Sequence, residues 1–153
     1  MPPRNFSISD LEVAEIDAAA ELWEVCGLTR PWNDPREDAR RALAGATSTI
    51  LAGRIAGRLV ATAMVGADGH RGWVYYLATA LDLRRHGLGE AMMRAAESWA
   101  AGRGMPKLQL MVRDDNVGRG DSTRPSATQP SQLLCTRVGS AGAVDSTDPR
   151  QSR

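Results

Sequence analysis

The feature that most constrains the fold is an apolar segment followed by a glycine-rich basic loop and an amphipathic segment. Residues 73–80 are apolar at nearly every position, which predicts a central strand covered on both faces. From Leu88 to Ala100 apolar residues recur at helical spacing, and residues 107–112 alternate as in a second strand. A strand–helix–strand unit of this size implies a parallel pair with a right-handed crossover. The sequence therefore predicts an α/β fold.

The residues before this unit predict two helices and a β-hairpin. Ser9 and Glu12 have the spacing of a capping box, which indicates the start of a helix, and Gly27 is a typical helix stop. The other predicted elements are a short helix over 36–45 and antiparallel strands over 48–55 and 58–65, joined by a tight turn. The expected architecture is a mixed sheet, an antiparallel meander followed by the strand–helix–strand unit.

Composition divides the chain near residue 116. All seven aromatic residues precede residue 100. Residues 1–116 carry 14 Lys and Arg against 15 Asp and Glu, and residues 117–153 carry 5 against 3. The second part has few large aliphatic residues, so by itself it cannot bury enough apolar surface to offset its ordering entropy. We therefore expect a domain over 1–116 and a low-complexity, disordered tail over 117–153.

Composition and charge also exclude several classes of protein. No apolar run approaches the roughly 18 residues that a membrane span needs, and the first residues lack the apolar core of a signal peptide. Cys26 and Cys135 are too few for a disulfide framework and lack metal-ligand spacing. A net charge of +1 gives the chain no basic surface typical of nucleic-acid binding. Only two features favour such binding, the pair Arg84 and Arg85 and the basic tail. A cytoplasmic enzyme or binding domain without a metal site is expected.

The loop Arg84-Arg85-His86-Gly87-Leu88-Gly89 carries the chemical signal. A helix N-terminus already bears about half a positive charge, so two arginines there are unfavourable unless an anion is bound. The two glycines allow close approach of a ligand to backbone N–H groups, which indicates a phosphate or pyrophosphate. The alternative is an arginine-rich loop that is merely solvated. The position between a strand and an amphipathic helix favours the phosphate.

This order of elements, with Arg84-x-x-Gly87-x-Gly89 after the aromatic strand, resembles the GNAT (Gcn5-related) N-acetyltransferases. Leu28–Pro35 and Asp68–Gly72 resemble a small bacterial YpeA-like branch of that family, and the resemblance covers residues 6–116. It implies a GNAT-like sheet and the transfer of an acetyl group from acetyl-CoA to a primary amine, on a small molecule or peptide, by direct attack. The residues that it assigns to acetyl-CoA are Leu77, Ala78, Thr79, Arg84, Arg85, His86, Gly87, Leu88, Gly89, Glu90 and Asn116.

The general base is not identified from the sequence. His70 and Tyr75 are candidates, although His70 also suits a turn and Tyr75 also suits a core. Glu21 and Trp32 are candidates for the acceptor side, where Trp32 equally suits packing of its loop.

The resemblance ends after Asn116, where the family continues with a helix containing Gly-Phe-Tyr-Glu-Ala-Leu-Gly-Tyr and then a strand pair. Codons for Gly120–Thr128, read one base back, are compatible with that motif at all eight positions. We therefore predict a frame-shift by loss of one base between Asn116 and Gly120; the alternative is an ordinary disordered extension. The family's proton-donating tyrosine, its C-terminal helix and its strand pair would then be missing. The strand at 107–112 would be an edge that dimerises or aggregates, and the chain could be a catalytically impaired CoA-binding remnant or an inactive product.

Overall fold

The central hairpin follows the predicted pattern and anchors a six-stranded sheet. The computed structural model describes residues 1–111 and 133–137, with side chains described for residues 1–110. The strands are β1 (Phe6–Asp10), β2 (Ser48–Ile55), β3 (Arg58–Ala67), β4 (Gly72–Thr79), β5 (Lys107–Met111) and β6 (Leu133–Arg137). The helices are α1 (Ile16–Val25), α2 (Pro35–Ala44) and α3 (Leu88–Gly102), with short 3-10 helices at Val13–Glu15 and Leu81–Leu83.

The sheet is a meander with one parallel step. Its strands lie in the order β1-β2-β3-β4-β5-β6, and all neighbours are antiparallel except β4 and β5. The parallel pair is connected through α3, which confirms the predicted strand–helix–strand unit. Among the described residues, no helix is both long enough and apolar enough to cross a bilayer.

Helices cover both faces of the sheet, because each strand offers apolar residues on alternate sides. α1 and α2 lie on one face and α3 on the other. The first core contains Trp23, Ala39, Ile50, Ala52 and Ala78, among others, and the second contains Val65, Val74, Met92, Ala96 and Leu108. The sequence predicts that β4 is buried on both faces, but this holds only in part, because Tyr75 is 42% exposed.

The capping box predicted at Ser9 is wrong, because Ser9 lies in β1 opposite Ala52 of β2. The box exists three residues later: the backbone N–H of Glu12 donates to the carboxylate of Glu15, and the reciprocal bond is also present. β1 was not predicted, because only Phe6 and Ile8 mark its core face. Its pairing with β2 outweighs the local capping signal.

The prediction that β5 would be a sheet edge is also wrong. All five residues of β5 pair antiparallel with β6, from Lys107 opposite Arg137 to Met111 opposite Leu133. One strand therefore lies within 117–153, where none was expected. The boundary at residue 116 and the region of the family's helix lie outside the described residues.

Candidate active site

The candidate site begins where β4 and β5 separate. The two strands pair only at Gly72–Val74, although β4 continues to Thr79. In the part of the chain that the structure describes, residues 75–79 have no paired strand on the β5 side. On the side where a strand has no neighbour, its backbone N–H and C=O groups are available to a ligand.

A β-bulge lies in this segment, where it pairs with β3 and is unpaired only on its β5 side. Thr62 of β3 faces Ala78 and Met64 faces Tyr75, so Ala63 alone lies opposite both Tyr76 and Leu77. Tyr76 has φ +47°, a left-handed conformation that costs a residue with a side chain roughly 1–2 kcal/mol. Bulges re-aim side chains and interrupt pairing next to active sites. Leu77 thus lies at the bulge, in the part of β4 that has no paired strand on the β5 side.

The side chain of Tyr76 is held against α1 and α2. Its ring stacks on Trp23 at a centroid distance of 4.1 Å, and its hydroxyl donates to Oδ2 of Asp38 at 2.7 Å. Burial, followed by the bond to Asp38, raises the pKa of Tyr76 to about 12. The phenol is therefore protonated at neutral pH. The sequence had not pointed to Tyr76, Trp23 or Asp38, and only the unusual backbone reveals their link to the site.

The basic loop leads from β4 into α3 through two left-handed residues. Arg85 has φ +66° and Gly87, the residue that precedes α3, has φ +76°. No side chain caps α3, so the N–H groups of its first turn, at Leu88, Gly89 and Glu90, lack an intrahelical partner. Nδ1 of His86 lies 2.9 Å from the carbonyl of Arg84, which ties the loop together.

Within the described part of the chain, the loop carries positive charge that is not neutralised by nearby carboxylates. Arg84 and Arg85 are exposed, and no carboxylate among the described residues forms an ion pair with either. Glu90 is paired with Arg94 and does not neutralise them. Two free guanidinium groups beside an uncapped helix start suit a phosphate or pyrophosphate.

The structure brings the loop and the end of β4 together. A Cβ atom built on Gly89 would lie 3.9 Å from Oγ1 of Thr79, so the first turn of α3 borders the unpaired segment. The basic loop is thus adjacent to the end of β4 at Thr79, although the side chains of Ala78 and Leu88 are buried. Asn116 lies outside the described residues.

Of the two candidates for the general base, His70 precedes β4 and Tyr75 lies within it. His70 is exposed in the turn before β4, at the opposite end of the strand from the basic loop, and its backbone N–H donates to Asp68. Tyr75 lies where β4 and β5 separate and stacks on Trp73 at 6.4 Å. Burial, and then the charge of Asp68, raises the pKa of Tyr75. His70 is therefore not brought to the site, whereas Tyr75 borders it as a neutral phenol.

The segment between α1 and α2 runs beside the unpaired part of β4. The thiol of Cys26, directly after α1, donates to the carbonyl of Thr79 at 3.4 Å, and Asp38 in the first turn of α2 accepts from Tyr76. Trp32, in between, is 78% exposed. Glu21 lies in a different place, a cleft of about 370 Å³ between α1, the start of β3 and Ala80–Asp82. The side chain of Trp32 is thus accessible, and that of Glu21 lines the cleft.

Comparison with known proteins agrees with this geometry. Residues 16–119 match the acetyltransferase (GNAT) family. The chain is 42% identical over 102 residues to an acetyltransferase of Pectobacterium atrosepticum, which covers 67% of this chain and 72% of the relative.

Solved structures give the same result for the fold. The ribosomal-protein-S18-alanine N-acetyltransferase of Escherichia coli aligns with a TM-score of 0.61 at 25% identity, over 73% of this chain and 70% of the other. The PaiA N-acetyltransferase of Thermoplasma acidophilum, solved in complex with coenzyme A, aligns with a TM-score of 0.60 at 14% identity over 73% and 82%. With the family match covering most of the sequence, the chain belongs to the acetyltransferase (GNAT) family.

Proposed function

We propose that the chain transfers an acetyl group from acetyl-CoA to a primary amine. The observation that carries the proposal is that the uncapped, basic start of α3 lies beside the end of β4, in the part of β4 that has no partner on its β5 side among the described residues. Arg84 and Arg85 have no ion-pair partner among the described residues, and Gly89 lies beside Thr79 at the end of that segment. The coenzyme A complex of a structural neighbour supports acyl-CoA as the donor.

The basic loop and the end of β4 have distinct roles in the proposal. Arg84, Arg85 and the N–H groups of Leu88–Glu90 would bind the pyrophosphate. The exposed backbone of Leu77 and Thr79 would hold the pantetheine arm and the acetyl carbonyl, together with Asn116. Acetyl-CoA supplies an activated thioester, and a backbone N–H at Leu77 would stabilise charge that develops on the carbonyl oxygen during attack by the amine.

The acceptor would approach beside the segment between α1 and α2. Trp32 is exposed there, and Tyr75 borders the opening as a neutral phenol. One structural neighbour is named for an alanine of a ribosomal protein, so a peptide amine fits the proposal as well as a small molecule does. Because acetyl-CoA is a cytoplasmic metabolite, we place the activity in the cytoplasm.

Binding and turnover measured together test the proposal. Isothermal titration with acetyl-CoA should show saturable binding, and a mixed panel of amino acids, peptides and polyamines should give amine-dependent release of CoA. Loss of a charge-assisted phosphate contact costs about 1.5–3 kcal/mol, so Arg84→Ala should weaken binding by roughly 10- to 100-fold. Arg40→Ala in α2 removes the same charge from an arginine that is paired with Glu37, and it should change the affinity less than about twofold.

A second candidate is a CoA-binding remnant without turnover. Tyr75 and Tyr76 are the only tyrosines of the chain, so the C-terminal proton donor that the family resemblance implies is absent. Binding without CoA release would select the remnant, and turnover would exclude it. If the chain neither binds acetyl-CoA nor releases CoA, both candidates are overturned.

The frame-shift proposal has its own test in the coding DNA. Codons for Gly120–Thr128 should spell Gly-Phe-Tyr-Glu-Ala-Leu-Gly-Tyr when read one base back. A chain with the missing base restored should then gain activity and thermal stability. Codons that cannot spell the motif would exclude the frame-shift.

A further inference from the structure

A buried polar relay connects α1 to the bulge in β4. The indole N–H of Trp23 donates to Oγ1 of Thr62 at 2.8 Å, and Oγ1 of Thr62 donates to the carbonyl of Tyr76 at 2.9 Å. Trp23 and Thr62 are both 0% exposed. The relay thus ends on the residue that adopts the left-handed backbone.

The direction of the relay is fixed by chemistry. An indole nitrogen can only donate, and a hydroxyl has one proton. Because Thr62 accepts from Trp23, its own proton is free for the carbonyl of Tyr76. The orientation of that peptide group, and therefore the path of the chain into Leu77, is tied to Thr62.

Packing alone does not explain a threonine at this position. Valine has nearly the same shape, and a buried hydroxyl has to recover the hydrogen bonds that it loses with water. Thr62 recovers them from one side chain and from one main-chain carbonyl, at the point where Ala63 faces two residues of β4. The hydroxyl therefore selects a backbone geometry in addition to filling the core.

We propose that Thr62, oriented by Trp23, is a positioning residue for acetyl transfer. By holding the carbonyl of Tyr76, it keeps the bulge in the form that presents the backbone N–H of Leu77 to the acetyl carbonyl. Thr62 touches no substrate and acts through Tyr76. This inference rests on the proposed function, because it concerns the same site.

Substitution of Thr62 separates the positioning role from a structural one. Thr62→Val keeps the shape and removes the relay, and a displaced N–H donor should lower kcat roughly 10- to 100-fold. Affinity for CoA, which lacks the acetyl group, should change less than twofold, because its pyrophosphate is bound by residues 84–90. Thr62→Ser should restore kcat to within about threefold of the parent, since it keeps the hydroxyl.

Two further variants serve as a control for stability and as a test of the hydrogen bond from Trp23 to Thr62. Val65→Ala also leaves a defect in buried β3, but on the face covered by α3, so it should lower the melting temperature and leave kcat unchanged. Trp23→Phe retains an aromatic ring to stack on Tyr76 and removes the N–H donor. It should reproduce the direction of the Thr62→Val effect with a smaller loss of kcat.

A measurement that needs no turnover completes the test. In the parent, the amide ¹H–¹⁵N resonance of Leu77 should shift differently with acetyl-CoA and with CoA, and Thr62→Val should abolish this difference. A parent that binds neither compound overturns the proposed function, and this inference with it. The positioning role alone is overturned if the parent binds or turns over acetyl-CoA and Thr62→Val equals the parent in kcat and in the Leu77 shift.

Discussion

At the scale of single residues, Asp68 shows how one carboxylate organises the entry to β4. Its Oδ1 accepts from the backbone N–H of His70 at 2.8 Å and of Arg71 at 2.7 Å. Its Oδ2 accepts from the indole N–H of Trp73 at 3.2 Å. These bonds to the charged form, the backbone bond of Arg71 first, lower the pKa of Asp68 to about 2.

Asp68 should therefore stabilise the fold in a pH-dependent way. Because its folded pKa of about 2 is below the ordinary value of 3.8, its contribution is complete above about pH 4 and disappears as the pH falls through about 2. Asp68→Asn should lower the melting temperature at pH 7, and the difference from the parent should vanish near pH 2. Glu97→Gln on α3 removes a charge without these bonds and is the control. A difference that is independent of pH would contradict the assignment.

At the scale of elements, the start of α3 combines a backbone requirement with the binding role that we propose for it. Gly87 has φ +76°, a conformation that side chains disfavour, whereas Gly89 is an ordinary helical residue. A methyl group on Gly89 would meet only Oγ1 of Thr79, at 3.9 Å. The backbone therefore requires glycine at position 87, whereas glycine at position 89 serves the approach of the ligand in the proposed function.

Alanine substitutions should separate these reasons. Gly87→Ala should destabilise the protein by about 1 kcal/mol through its left-handed backbone. Gly89→Ala should leave stability unchanged or raise it by up to about 1 kcal/mol, since alanine favours helix. It should nevertheless weaken acetyl-CoA binding, because the methyl group occupies the approach to the first turn of α3. Chemical denaturation and titration calorimetry check both; an unchanged affinity of Gly89→Ala would contradict the placement of the ligand.

At the scale of the whole molecule, β6 completes the sheet from a distant part of the sequence. It covers the five backbone positions of β5 that would otherwise form an open edge. Such an edge is a template for pairing with a second chain. β6 is itself the terminal strand of the sheet, so the full hydrogen bonding of β5 depends on a segment whose composition alone indicates no structure.

Disruption of β6 should expose β5. Leu134 lies opposite Leu110, and Leu134→Pro introduces a ring that a paired strand does not accommodate. We expect a larger, concentration-dependent share of dimers or aggregates by light scattering after gel filtration, and a lower melting temperature. Leu134→Ala keeps the backbone donor and should elute like the parent. Identical elution of Leu134→Pro and the parent would mean that β6 does not protect the edge.

Much of the fold could be predicted because its signals are local. The strand over 48–55 and the start of α3 at Leu88 agree with the prediction, and the strands over 58–65, 73–80 and 107–112 differ only at their ends. Each has a clear period of two or 3.6 residues. The basic loop was also predictable, because two arginines and two glycines at a strand–helix junction form a local chemical pattern.

What remained beyond prediction depends on contacts between distant segments. The sequence by itself determined the α/β class, the meander, the basic glycine-containing loop and the family resemblance, since these follow from periodicity and short motifs. Only the tertiary structure decided that Ser9 joins a strand, that β6 pairs with β5, and that Trp23, Thr62 and Asp38 converge on a bulged Tyr76. The physical reason is that hydrogen bonds between strands and helices far apart in sequence outweigh local preferences, and no short window of the sequence contains both partners.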